Sequence, residues 1–132
     1  MSNTSAAHRP IEITLSEKAK PTVFSCSGSA NVGQLANSCA LLLESEGHAV
    51  FACIASVGCH EEKMLDLAKR SPKVLALDGC PTSCCTRSLQ HAGITVDVKA
   101  VMTDLSGMVK EHNALPSETD VREAMLKVRR LI

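Results

Sequence analysis

Four short apolar runs, each followed by a segment of helical pattern, constrain this chain more than anything else in it. The runs are Thr22-Val23-Phe24-Ser25, Ala49 to Ile54, Lys73-Val74-Leu75-Ala76-Leu77 and Ile94 to Met102, all of strand length. After the first, Val32, Leu35, Ala36, Cys39, Leu42 and Leu43 recur at helical spacing until Gly47. After the second comes a loop with Gly58, Cys59 and His60, then a short helix from about Glu61 to Arg70, closed by Pro72. The third leads into a helix over Thr82 to His91, halted by Gly93. The Ser106–Asn113 stretch after the fourth has no clear pattern. A last helix follows, opened by Ser117 and Asp120 as a capping box, with Val121, Ala124, Met125 and Val128 as its apolar stripe. Such alternation predicts an α/β, Rossmann-like three-layer sandwich: a small parallel sheet of about four strands with helices on both faces. Residues 21–132 read as one domain. Residues 1–20 read as a tail in which Ile11, Ile13 and Leu15 alternate with Glu12 and Thr14. That pattern suits an edge strand or an unpaired arm equally.

Right-handed crossovers align the C-terminal ends of parallel strands along one rim, where the working sites of such folds lie. Cys26, Cys53 and Cys80 each fall at or near a strand end, and Cys84 lies one helical turn beyond. Topology alone thus brings together cysteines scattered along the chain. Within Asp78-Gly79-Cys80-Pro81-Thr82-Ser83-Cys84, Pro81 suits the first helical position, which makes Cys80 the expected N-cap. Residues four apart on a helix hold their Cβ atoms about 5–6 Å apart, close enough for two thiolates to share a zinc at about 2.3 Å each. A helix N-terminus also favours thiolate over thiol. The segment reads as half of a metal or redox site.

Composition removes several alternatives. With 14 basic and 14 acidic residues the formal charge is zero, and Phe24 and Phe51 are the only aromatic residues. Neither the field nor the stacking platforms for nucleic acid are present. No apolar run reaches membrane-spanning length, and Met1 to Arg9 lacks a hydrophobic signal segment. The expected compartment is the cytoplasm, where seven cysteines point to metal or redox chemistry rather than a disulfide framework. The loop of a cysteine, five residues and an arginine that serves phosphate-transferring thiol enzymes is missing. Position 32 is valine, and six residues separate Cys80 from Arg87.

The pieces Cys26-Ser27-Gly28-Ser29-Ala30-Asn31-Val32-Gly33, Cys53-Ile54-Ala55-Ser56-Val57-Gly58, Asp78-Gly79-Cys80 with Cys84, Ala92-Gly93-Ile94 and Thr103-Asp104-Leu105, in that order and spacing, resemble the DGC-domain family. The resemblance implies a zinc-binding set of Cys26, Cys53, Cys80 and Cys84. A full four-thiolate shell is typical of structural rather than catalytic zinc. The expected function is therefore that of a binding protein acting in sensing, delivery or assembly, with the metal ion as partner and a protein partner left open. Ser106, before Gly107, departs from the family pattern. Iron–sulfur and Cu(I) share the preference for thiolates. The alternative, of another class, is a thiol-based redox or sulfur-transfer enzyme using Cys80 with Cys84 or Cys85; the balance leans away from an enzyme.

The remaining candidates have plainer readings. Cys39 belongs to an apolar stripe and is expected in the core. Cys85 should point away from Cys84 as a bystander. Cys59 and His60, in a loop at the same rim, are candidates to join the site. His8, His48, His91 and His112 read as surface residues without convergent partners. Asp78 either orients a ligand or forms an ordinary Asp-Gly turn.

Overall fold

The computed structural model describes residues 20–132, so the alternating segment at Ile11 to Leu15 lies outside the described residues. The elements run β1 (Thr22–Ser25), α1 (Asn31–Ser45), β2 (Val50–Phe51), α2 (Ile54–Gly58), α3 (Glu62–Arg70), β3 (Val74–Asp78), α4 (Cys84–His91), β4 (Val98–Val101), α5 (Met102–Ser106) and α6 (Glu118–Val128), with a final 3₁₀ turn at Arg129–Leu131. The four strands form one sheet in the order β2-β1-β3-β4. Every pairing is parallel.

Alternate residues of the central strands β1 and β3 feed two separate cores, as the two-residue side-chain period requires. Val23, Leu75 and Leu77 join α1 and α6 through Leu35, Leu43, Met125 and Val128. Phe24, Val74 and Ala76 face the other way, onto Val57, Met64, Leu67 and Leu89. The expected α/β sandwich is therefore present, with helices on both faces. The capping box at Ser117 and Asp120 forms as predicted, each residue bonding the other's backbone N–H. Glu61 caps α3, its carboxylate accepting from the N–H groups of Lys63 and Met64.

Three elements depart from the sequence expectation. The second strand shrinks from Ala49–Ile54 to Val50–Phe51, and Ile54–Gly58 coils into α2 with Cys53 as its N-cap. Val50 and Ala52 donate to Pro21 and Val23 of the neighbouring strand. Phe51 points its N–H the other way, where the Glu44 carboxylate accepts it at 2.9 Å. The fourth strand starts at Val98 rather than Ile94, because Asp97 bonds both backbone groups of Val74 and sets the register there. Its far end turns helical at Met102.

The third departure concerns the site. Helix α4 begins at Cys84, not Thr82, and its N-cap is Ser83 in a left-handed conformation, φ +56°. Cys80 therefore stands outside the helix, at the head of a turn closed by the Ser83 N–H donating to its carbonyl. The physical reason is Asp78. Its side chain, wholly buried, accepts from the backbone N–H of Cys85 at 2.8 Å, from that of Thr86 at 3.3 Å and from the Thr86 hydroxyl. A carboxylate at the end of β3 thus does the capping that the sequence assigned to Cys80.

Candidate functional site

The rim is built around one close approach. A Cβ on Gly79 would lie 2.7 Å from the Gly33 nitrogen, and a Cβ on Gly33 would lie 2.9 Å from the Gly28 nitrogen and 3.3 Å from Cys26 Sγ. The end of β3, the first turn of α1 and the Cys26 loop are therefore in contact at the level of backbone. Only glycine permits this. The motif Asp78-Gly79-Cys80 becomes legible as three roles: Asp78 caps α4, Gly79 seats against α1, and Cys80 is delivered to the rim beside the Cys26 loop.

Each thiol has its own surroundings. Cys26 is half-buried and accepts from the Gly28 N–H at 3.4 Å. Cys80, also half-buried, lies with its sulfur 3.4 Å from Lys110 Nζ. The hydroxyl and N–H of Thr82, followed by Lys110, hold the Cys80 thiol below its ordinary pKa. Cys53 is exposed. Partial burial works against its ionisation, but the N–H and hydroxyl of Ser56 and the N–H of Ala55 prevail and lower its pKa. At the other extreme, burial pushes Cys39 up to about 12. Burial, then the nearby charges of Asp78, Cys26 and Cys84, push Cys85 well above the usual thiol range. Both are inert core residues, as expected for Cys39. Cys85 does point away from Cys84, into the core that holds Phe24 and Leu89.

Lys110 reaches Cys80 because its segment is fastened down. Asn31, buried at the start of α1, donates to the Val109 carbonyl at 2.9 Å and accepts from the Glu111 N–H at 2.8 Å. Its own N–H donates to the Glu111 carbonyl, and Asn113 N–H donates to Ser29. The Ser106–Asn113 stretch that lacked a sequence pattern is thus a strap across the rim. Asn31 and Lys110 are the site residues that sequence reasoning missed. Asn31 lay inside the quoted Cys26–Gly33 piece, whereas Lys110 carried no local signal.

The four cysteines are distributed unequally. Cys26 and Cys80 pack against the core under α1. Cys84 is exposed and lines a cleft of about 360 Å³ with Val57, Gly58, His60, Arg87, Ser88 and His91. Cys59, exposed, donates its thiol to the Ser56 carbonyl. His91, expected to stand alone, faces His60 edge-on with ring centroids 6.2 Å apart. Among the described residues no three His, Cys, Asp or Glu side chains stand close enough together to hold one metal ion. The donor chemistry suits zinc, but the elements as they stand do not assemble a four-thiolate shell.

Comparison with known proteins follows the same residues. The DGC domain model matches residues 22–128. The anaerobic and virulence modulator AnvM of Pseudomonas aeruginosa is 31% identical over 112 residues, covering 85% of each chain. No solved structure gives a significant match. Among the described residues no helix is long and apolar enough to cross a membrane.

Proposed function

The chain belongs to the DGC domain family, and from that premise we propose that it is a thiolate-based sensing module whose rim takes up a thiophilic metal ion, zinc first among the candidates. The observation that carries this reading is Cys80, kept toward its thiolate form by Thr82 and Lys110 beside the Cys26 loop. Thiolate, not thiol, is the metal ligand. Cys26 and Cys80 would make the first contacts, and Cys53 and Cys84 would complete the set by moving in from the ends of α2 and α4. Because no three of these side chains stand together among the described residues, binding on this reading is coupled to closure of the rim. That coupling suits a sensor better than a rigid structural site. The name of the Pseudomonas aeruginosa relative, a modulator, supports a regulatory role over a catalytic one.

Elemental analysis of protein purified without added metal tests the reading, with about one equivalent of zinc expected and its loss on replacing Cys80. Less than about a third of an equivalent, with all exposed thiols free, would refute it. Two apolar cores that need no metal should keep the strands protected from hydrogen exchange after chelation. Only the Cys26 loop, α2 and the Cys80–Ser83 turn should loosen.

A second reading rests on the same Cys80–Lys110 contact: thiol–disulfide or sulfur-transfer chemistry at Cys80 with Cys84. Replacing Cys84 by serine separates the two. A metal module loses metal and stability together, whereas a redox enzyme keeps its fold and loses turnover.

A further inference from the structure

The cleft between α2 and α4 offers a chemistry beyond metal uptake, although it shares Cys84 with the proposed metal set. Its α4 wall is a single helical face, with Cys84, Arg87, Ser88 and His91 at positions i, i+3, i+4 and i+7. The opposite wall is Val57, Gly58 and His60. No carboxylate among the described residues lines it. Among the described residues the Arg87 guanidinium has no ion-pair partner, and neither it nor the two imidazoles makes a side-chain hydrogen bond. His60 is held there by a left-handed backbone, φ +59°, a conformation that costs a non-glycine residue energy. A nucleophile therefore sits at one end, a permanent cation one helical turn along, and two nitrogen heterocycles beyond it. The helix rise places Cys84 and His91 about 10 Å apart, the span of about three extended residues. The volume of about 360 Å³ lies in the range of small-ligand clefts.

We propose that this cleft receives a small acidic thiol in its disulfide form and that Cys84 is the site of mixed-disulfide formation. The Cys84 thiol gives its proton to solvent. The thiolate attacks one sulfur of the disulfide, forming a new S–S bond to Cys84. The original S–S bond breaks, and the second half leaves as a thiolate. The disulfide is thus the oxidant and no other is needed. Arg87 grips a carboxylate of the ligand, while His60 and His91 bound the far end. Cys85, adjacent in sequence, is excluded by burial. The proposal does not rest on the metal reading.

The test uses the reduced full chain in chelator, challenged with limiting oxidised glutathione, with the modified residue mapped by mass spectrometry. Cys84 is expected to take most of the first equivalent. Arg87→Glu should slow the reaction about five- to twentyfold with oxidised glutathione, but less than about twofold with the uncharged disulfide of mercaptoethanol. First modification at Cys53, Cys59 or Cys80, or equal slowing with both disulfides, would overturn the proposal. Zinc binding lost in Cys80→Ser with Cys84 thiolation intact would show that the two roles of Cys84 are independent.

Discussion

On the α1 side of the sheet the rim is tied down at every step, whereas on the α4 side it is open. Cys26 and Cys80 sit between backbones in contact at Gly33 and Gly79, under a strap held through Asn31. Cys53, Cys59 and Cys84 lie exposed on short or terminal helical turns. The difference teaches that membership of one rim is not membership of one site. Topology delivers strand ends to a common edge, but hydrogen bonds and close packing decide which thiols are fixed and which remain free to meet a ligand. Neighbouring residues Cys84 and Cys85 show the same division at its sharpest. One faces a cleft, and the other is sealed in the core.

The largest expected effect tests whether the helix behind the open cleft is itself anchored to the sheet through Asp78. Asp78→Ala strips the cap from α4 and leaves three buried donors without their acceptor. A loss of about 2–4 kcal/mol is expected, read as a lower denaturant midpoint at unchanged slope. Asp78→Asn, which keeps an acceptor for the Cys85 N–H, should lose roughly half as much. Equal stability of the alanine variant and the parent would remove Asp78 from its structural role.

Glycine substitutions sharpen the contrast between the two sides. Gly79→Ala drives a methyl group into the Gly33 backbone at 2.7 Å and should cost about 1–3 kcal/mol. Gly58→Ala, on the open side, meets nothing within 4 Å. Inside α2 it should be neutral or stabilising by about 0.5–1 kcal/mol. Similar melting shifts for the two variants would erase the distinction drawn here.

The smallest effect is electrostatic. Lys110→Ala removes the cation beside Cys80, so the thiol pKa rises toward its ordinary value and the thiolate fraction at neutral pH falls. Alkylation of Cys80 at pH 7 should slow about two- to fivefold, the scale of an exposed ion pair, and the midpoint of its rate–pH curve should move up. The sign also bears on stability. A depressed thiol pKa adds stability above the unfolded-state value, and that contribution is lost as pH falls through the folded-state value. A midpoint unmoved by Lys110→Ala would leave Thr82, the larger influence, as the whole cause.

What the sequence made legible was periodic or terminal. The alternation of apolar runs and helical stripes announced the α/β sandwich, and Ser117 with Asp120 announced a cap that forms. Cysteines at strand ends could be counted without knowing strand order. Helix boundaries near Cys80 were not legible, because the capping carboxylate comes from Asp78, outside the usual N-cap position. The second strand misled for a similar reason: Ala49 to Ile54 is apolar enough for a strand, yet at the sheet edge α2 claims its end. Lys110 was invisible because it acts across 30 residues of chain, through a strap whose anchor is a single asparagine. His91 paired with His60 only once α2 and α4 were side by side.

The Glu44–Phe51 contact bears on how this protein behaves in company. A sheet edge with unpaired amides is a template on which another chain can lay a strand. Here the β2 edge is only two residues long, and its outward amide at Phe51 is already occupied by a carboxylate from α1. An incoming strand would have to displace that carboxylate and would find little edge beyond it. Crowded conditions therefore give β2 little scope to recruit copies of the chain into ribbons. Any strand-by-strand assembly this protein enters is steered away from that edge and would have to use the opposite one, at β4.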